Sequence, residues 1–279
     1  MNIETTHGRI AVTQAGRGDT AVVFLHGNSS SKEIFEAQLG SPLRDSYRLV
    51  ALDLPGHGES EDARDPHTTY TVPGYAAAVR EVLCALGIER PILVGWSLGG
   101  HIAIELLAAT PRPLGVVVTG TPPFAKSRES LGEAFRPTPA MLLTGKLEFS
   151  DEDALAYARA TTSADVPPGD PRQRAARRTD GRARARMFAA VVEGLGVDQR
   201  RTVEEIDVPL AIVNGADDPF LNPDYFEQPR YARLWRQTIH RIPGTGHAPF
   251  AEQPAAYNHL LLAFCAEVAA SASASGSDR

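Results

Sequence analysis

"LVGWSLGGHIAIELL", Leu93–Leu107, sets a serine among small residues where an apolar, strand-like run gives way to a helix-like one. Gly95-Trp96-Ser97-Leu98-Gly99 fits the G-x-S-x-G pattern of a nucleophile elbow, directly after the strand "PILV" and at the head of a helix. The spacing has a physical reason. A serine on so sharp a turn takes a positive φ, the chain crowds around it, and the flanking positions must be small. The strain holds the hydroxyl clear of the sheet, with the next backbone N–H aimed beside it. An ordinary glycine-rich turn would need no further partners, whereas a nucleophile needs a base, an acid and an anion hole elsewhere in the chain.

Working outward, short apolar runs recur as "TAVVFLH", "RLVALDL", "PILVGW", "GVVVTG", "PLAIVNG" and a weaker "TIHRIPG", after a hairpin that turns near His7-Gly8. Helix-like stretches at 74–86, 98–109 and 255–269 lie between or after them. Alternating strand and helix, with the strands apolar throughout, predicts an α/β fold: a mostly parallel sheet covered by helices on both faces. The alternation stops between Gly120 and Val208, where only helix-compatible stretches such as "DALAYARA" and "RMFAAVVEGL" occur. A structureless loop of that length is rare, so an inserted helical cap is expected there. The predicted partition is a core at 1–123, a cap at 124–202, the rest of the core at 203–270 and a disordered tail at 271–279.

Composition narrows the function. At 279 residues and 43% hydrophobic, the chain can bury a large core. A formal net charge of -6 argues against nucleic acid as a partner. The arginine-rich run "PRQRAARRTDGRARAR", Pro171–Arg186, has alanines between its arginines and no aromatics for stacking, and reads as a solvated, partly helical face. Cys84 and Cys265 sit in apolar contexts and read as small core residues rather than a disulfide. The N-terminus lacks a signal peptide's apolar segment and no run would span a bilayer, so a cytoplasmic protein with no membrane partner is expected. No H-E-x-x-H, H-x-H or cysteine cluster is present, and neither a metal nor a cofactor is expected.

The remaining parts of a serine mechanism are in the chain. "FLHGNSSS", Phe24–Ser31, follows the strand "AVVF" where a loop completing an anion hole belongs, with the backbone N–H of Asn28 acting beside that of Leu98. Asn28 or Ser29 also suits a helix cap, and His26 reads as a structural hydrogen-bonder. "LDLPGHGES", Leu52–Ser60, lacks the third glycine and lysine of a phosphate loop and reads as a tight turn. "VNGADDPF" places Asp217 and Asp218 just past the strand "LAIV", and "GTGHAPF" places His247 after the last strand-like run. Asp218 is assigned as the acid and Asp217 as a turn residue. In this scheme Ser97 attacks a carbonyl, His247 takes its proton, and Asp218 orients the imidazole.

These motifs, in the order serine, acid, histidine, resemble the α/β-hydrolase superfamily over nearly the whole chain. Within it, "HGNSSS", "TGTPP" and "RTDGRAR" are similar to the metal-independent N-acyl-homoserine lactone lactonases of this fold. The resemblance implies Ser97, Asp218 and His247 as triad, Asn28 and Leu98 as anion hole, and Tyr157, in "ALAYARAT", as a cap tyrosine that hydrogen-bonds the substrate. It implies a small lactone or ester substrate, and cap residues Phe135, Met141, Leu142, Leu143, Phe149 and Phe188 as apolar walls. The chain departs from the pattern at Asp218, where the resembled lactonase has glutamate, and across Ser163–Ala176. A general carboxylesterase and a ligand-binding receptor on the same fold are the alternatives. Turnover of an activated ester separates enzyme from receptor. Dehalogenases and epoxide hydrolases of this fold carry aspartate where Ser97 stands.

Overall fold

Eight strands form one sheet in the order β1-β2-β4-β3-β5-β6-β7-β8 in the computed structural model, which describes residues 1–276. The strands are β1 (Asn2–Thr5), β2 (Gly8–Ala15), β3 (Ala21–Leu25), β4 (Arg48–Leu52), β5 (Ile92–Trp96), β6 (Gly115–Thr119), β7 (Leu210–Gly215) and β8 (Leu234–Ile242). β1 pairs with β2 and β2 with β4 antiparallel, and all other neighbours are parallel. This is the expected α/β-hydrolase fold. The expected hairpin turns at Thr6-His7.

The apolar strands are explained by burial of both faces. Val23, Leu25, Val50, Leu93, Val116, Val118 and Ile212 face one core, into which Tyr75, Val79 and Val82 of helix Val72–Ala85 and Ile102 and Leu106 of helix Leu98–Leu107 also pack. The alternate residues Val22, Phe24, Ala51, Ile92, Val94, Val117 and Val213 face the other, beneath Tyr257, Leu261, Phe264 and Val268 of helix Pro254–Gly276. Period-two alternation thus divides one apolar run between two layers.

Between β6 and β7 the chain runs through helices Arg128–Ala134, Asp151–Ala160, Pro171–Arg178, Gly181–Val192 and Gln199–Glu205. No strand interrupts them among the described residues. The expected cap limit at 202 falls inside helix Gln199–Glu205, whose Val203 packs into the main core. The expected tail also meets the structure partway. Ser271–Gly276 continue the last helix, because alanine and serine tolerate helical backbone, and 277–279 lie outside the described residues.

Cys265 is fully buried and Cys84, expected in the core, is exposed; both are free thiols. Cys84 lies two and a half turns beyond Tyr75 on the same helix, and so on its solvent side. Burial pushes the Cys265 thiol up to about 12. Among the described residues no helix is long and apolar enough to cross a membrane.

Candidate active site

Ser97 is the hinge between β5 and helix Leu98–Leu107, at φ 52 and ψ -115. Its neighbours show why glycine is required. A Cβ on Gly95 would stand 2.4 Å from the Gly99 carbonyl oxygen, and one on Gly99 would stand 2.0 Å from that of Leu25. One on Gly100 would meet Thr121 Oγ1 at 2.1 Å. The helix is therefore pressed against the ends of β3 and β6, and the elbow is braced by the Ser97 N–H donating to the Thr119 carbonyl at 2.8 Å. Ser97 itself is half-buried, and its hydroxyl makes no hydrogen bond among the described residues.

The imidazole comes from the loop after β8, the edge strand of the sheet. His247 Nδ1 lies 2.6 Å from Asp218 Oδ2, with both side chains buried. The other carboxylate oxygen of Asp218 accepts the Phe220 N–H at 2.9 Å, so the acid is held at both ends. Since the carboxylate accepts from Nδ1–H, the lone pair of His247 is on Nε2. Asp217 is exposed, and among the described residues only its backbone N–H is engaged, donating to the Thr245 carbonyl. A Cβ on Gly120 would strike the His247 ring at 2.5 Å, so this glycine makes room for the imidazole at the end of β6.

Two residues outside the sequence reading hold the histidine loop. The Trp96 indole Nε1 donates to the His247 carbonyl at 2.8 Å, tying the elbow to that loop. The Glu252 carboxylate accepts the Gly246 N–H at 3.0 and 3.1 Å and the Ser163 N–H at 2.9 Å, joining loop and cap. The signal for Glu252 was its place in the first turn of the short helix Pro249–Glu252, which follows the histidine directly. Trp96 carried none, because its partner is distant in sequence.

The backbone N–H groups of Asn28 and Leu98 have no hydrogen-bond partner among the described residues. Two unspent donors at the ends of β3 and β5 are what an anion hole requires. The Asn28 side chain reaches the cap, its Nδ2 donating to the Thr144 carbonyl at 3.0 Å. Tyr157 is buried on helix Asp151–Ala160 with its hydroxyl beside Asn28, and burial pushes that hydroxyl well above its ordinary range. The structure thus brings Tyr157 to the loop that Asn28 belongs to.

His26 is structural. Its Nε2 accepts the Leu54 N–H at 2.9 Å and its Nδ1 donates to the Gly27 carbonyl at 2.8 Å, which ties the anion-hole loop to the chain after β4. The tight turn in "LDLPGHGES" has Gly56 and Gly58 at φ 77 and 52, where side chains would strike Tyr70 and the Asp53 carboxylate. Asp53 is fully buried and accepts the Lys32 backbone N–H at 2.7 Å and its ammonium at 2.9 Å. That ammonium also reaches Glu33 and Glu59, each at 2.6 Å, so a cation already stands at the centre of these three acids.

The buried imidazoles set a pH dependence of stability. Burial lowers the pKa of His26, of His57 and of His101, the last to about 4. Each binds its proton more readily when unfolded, so their contribution is complete above about pH 6.5 and is lost as pH falls below it, for His101 down to about 4. Stability from urea unfolding is expected to drop as pH falls below about 6.5, with His101 alone contributing up to about 1.4 kcal/mol per pH unit down to about pH 4. Equal stability at pH 7.5 and 5.5 would contradict this.

Of the expected apolar walls, Phe135 is half-buried, with its ring 6.4 Å from that of His101 and 6.2 Å from that of Phe124. Leu142 and Phe188 are 81% and 44% exposed, and Phe149 is spent inside the cap against Tyr157. Hydrophobicity in the sequence does not say how deeply each of them is buried. A groove of about 270 Å³ lined by Leu83, Leu93, Leu106 and Pro111 lies at the other end of β5 and touches none of these groups.

Comparison with known proteins agrees with this architecture. A model of the alpha/beta hydrolase family matches residues 22–260. The solved structure of N-acyl homoserine lactonase AidH complexed with N-butanoyl homoserine is 42% identical over 96% of each chain, with a TM-score of 0.90. A 2-hydroxy-6-oxononadienedioate/2-hydroxy-6-oxononatrienedioate hydrolase from Pseudomonas sp is 27% identical over 93% of each chain. A non-heme chloroperoxidase from Burkholderia pyrrocinia is 27% identical over 87% of this chain and 90% of its own.

Proposed function

The chain belongs to the alpha/beta hydrolase family, and we propose that it is a serine hydrolase that opens the lactone ring of N-acyl-homoserine lactones, silencing quorum-sensing signals. The observation that carries the chemistry is one end of the sheet. There a strained serine, a carboxylate-bound imidazole and two unpartnered N–H groups lie at the tips of adjacent parallel strands. Likeness to a lactonase over nearly the full chain supports the substrate class.

The reaction follows from these groups. Ser97 Oγ attacks the lactone carbonyl while His247 Nε2 takes its proton, and Asp218 stabilises the imidazolium. The carbonyl oxygen becomes an oxyanion facing the N–H groups of Asn28 and Leu98. As the ring C–O bond breaks, His247 returns the proton to the leaving oxygen, which becomes the homoserine hydroxyl. Water, deprotonated by His247, then hydrolyses the acyl-enzyme and releases N-acyl-homoserine with Ser97 restored. Tyr157, over the anion-hole loop, donates a hydrogen bond to the head group. The residues of 124–202 form the cap that receives the acyl chain.

A chain-length series with products identified by mass tests this reading. Each methylene buried in the cap is worth about 0.8 kcal/mol, roughly fourfold in kcat/KM, until the pocket is full. A rise and then a plateau is expected, with ring-opened acyl-homoserine as product. Tyr157→Phe is expected to weaken every length alike by about 0.5–1.5 kcal/mol, the worth of one neutral hydrogen bond. Linear esters outpacing every lactone, or an amide-cleavage product, would replace this reading with a general esterase or an amidase.

A further inference from the structure

The motif "RTDGRAR", Arg178–Arg184, takes no part in the proposed reaction, yet it ends in a buried cation, Arg184. The surrounding run was expected to be a solvated face, and most of its arginines obey: Arg172, Arg177, Arg178, Arg182 and Arg186 pair with acids at the surface. Arg184 does not. It is 2% exposed and forms no ion pair among the described residues.

Its guanidinium is spent on neutral groups. Nε donates to the Lys146 carbonyl at 2.7 Å, Nη2 to that of Leu147 at 3.1 Å, and Nη1 to those of Ala176 and Thr179 at 3.3 Å. Its carbon lies 3.8 Å over the Phe149 ring. Gly181 permits this, because a Cβ there would stand 1.6 Å from the Leu147 carbonyl oxygen that Arg184 engages. The remaining contact leaves the cap: Nη1 reaches Ser29 Oγ at 3.5 Å, and Ser29 Oγ donates to Asn28 Oδ1 at 3.3 Å. A chain of hydrogen bonds therefore runs from a buried cation to Asn28, and the Phe149 ring beneath the cation also lies 5.8 Å from the Tyr157 ring.

Burying a charge without a counter-ion is costly, and the carbonyls offset it only in part. Such a cation has little to gain from a neutral lactone and much to gain from an anion. We propose that Arg184 is a positioning residue of the reaction: acting through Ser29, it fixes the anion-hole loop and supplies positive potential that the transition state meets and the substrate does not. This rests on the function proposed above. Groups that act only on developing charge change kcat and leave ground-state binding nearly unchanged.

The test compares Arg184→Lys, Ser29→Ala and Ser97→Ala with wild type on one N-acyl-homoserine lactone and on p-nitrophenyl acetate, alongside urea unfolding. Arg184→Lys keeps a charge and loses the fork, and kcat is expected to fall about tenfold, within the range for a charge-assisted hydrogen bond. Ser29→Ala cuts the link and leaves the cap carbonyls in place, and a fall of about threefold or more is expected. In both, KM should stay within about twofold, whereas a loosened cap would raise KM first. Values of kcat within about twofold of wild type in both folded variants, or losses confined to KM, overturn the inference. If Arg184→Lys does not fold, Ser29→Ala decides alone by the same criterion. An inactive wild type, or an active Ser97→Ala, instead overturns the proposed function.

Discussion

Ser97→Ala is expected to lower kcat by about 10⁴- to 10⁶-fold with the fold intact, as for the nucleophile of any serine triad. The elbow geometry explains why so small a change removes so much. The Ser97 N–H is bound to the Thr119 carbonyl, and the close backbone packing around Gly95 and Gly99 fixes where the turn can present its hydroxyl. The same strain gives a companion result. A non-glycine residue at φ 52 stores about 1 kcal/mol or more, so Ser97→Gly should unfold at higher urea than wild type while losing activity. Steady-state kinetics and urea midpoints on the two variants check both halves. A well-folded Ser97→Ala protein with near-normal turnover would remove the mechanism.

The second large effect concerns the acid. Asp218→Asn is expected to reduce kcat by up to about 10⁴-fold, because an amide N–H facing Nδ1 favours the wrong tautomer of His247. The contact is short, 2.6 Å, and buried, so no water replaces the lost charge. Asp217→Asn should change kcat by less than about threefold, since its carboxylate is exposed and bonded to nothing in the site. Parallel kinetics on the two variants give the answer, and reversed losses would place the acid at the wrong residue. The exchange of aspartate for the glutamate of the resembled lactonase also has a test here. Asp218→Glu should retain much more activity than Asp218→Asn, because charge is kept and only reach changes.

Much of this protein was legible without coordinates because the relevant physics is local. The central strands are apolar throughout since both faces are buried, and that pattern alone separates a parallel sheet from a half-exposed one. Gly95, Ser97 and Gly99 announce the elbow because steric exclusion acts within five residues. Chain order places Ser97, Asp218 and His247 each just after a strand or strand-like run, and parallel strands carry such positions to one end of a sheet.

What the tertiary structure alone decided are the contacts between distant residues and the side on which each one falls. Asp217 and Asp218 are adjacent and chemically alike, and only the turn after β7 buries one against His247 and leaves the other exposed. Cys84 and Cys265 share apolar surroundings in sequence, yet one faces solvent and the other the core. Leu142 and Phe188 are hydrophobic yet partly or largely exposed, because a surface helix keeps one side in solvent whatever its composition. Arg184 is the clearest case. Its neighbours in sequence are surface arginines, and nothing local distinguishes it from them. It is buried because carbonyls from two separate cap segments and a hydroxyl from the anion-hole loop converge on one guanidinium, a coincidence in space that no periodicity records.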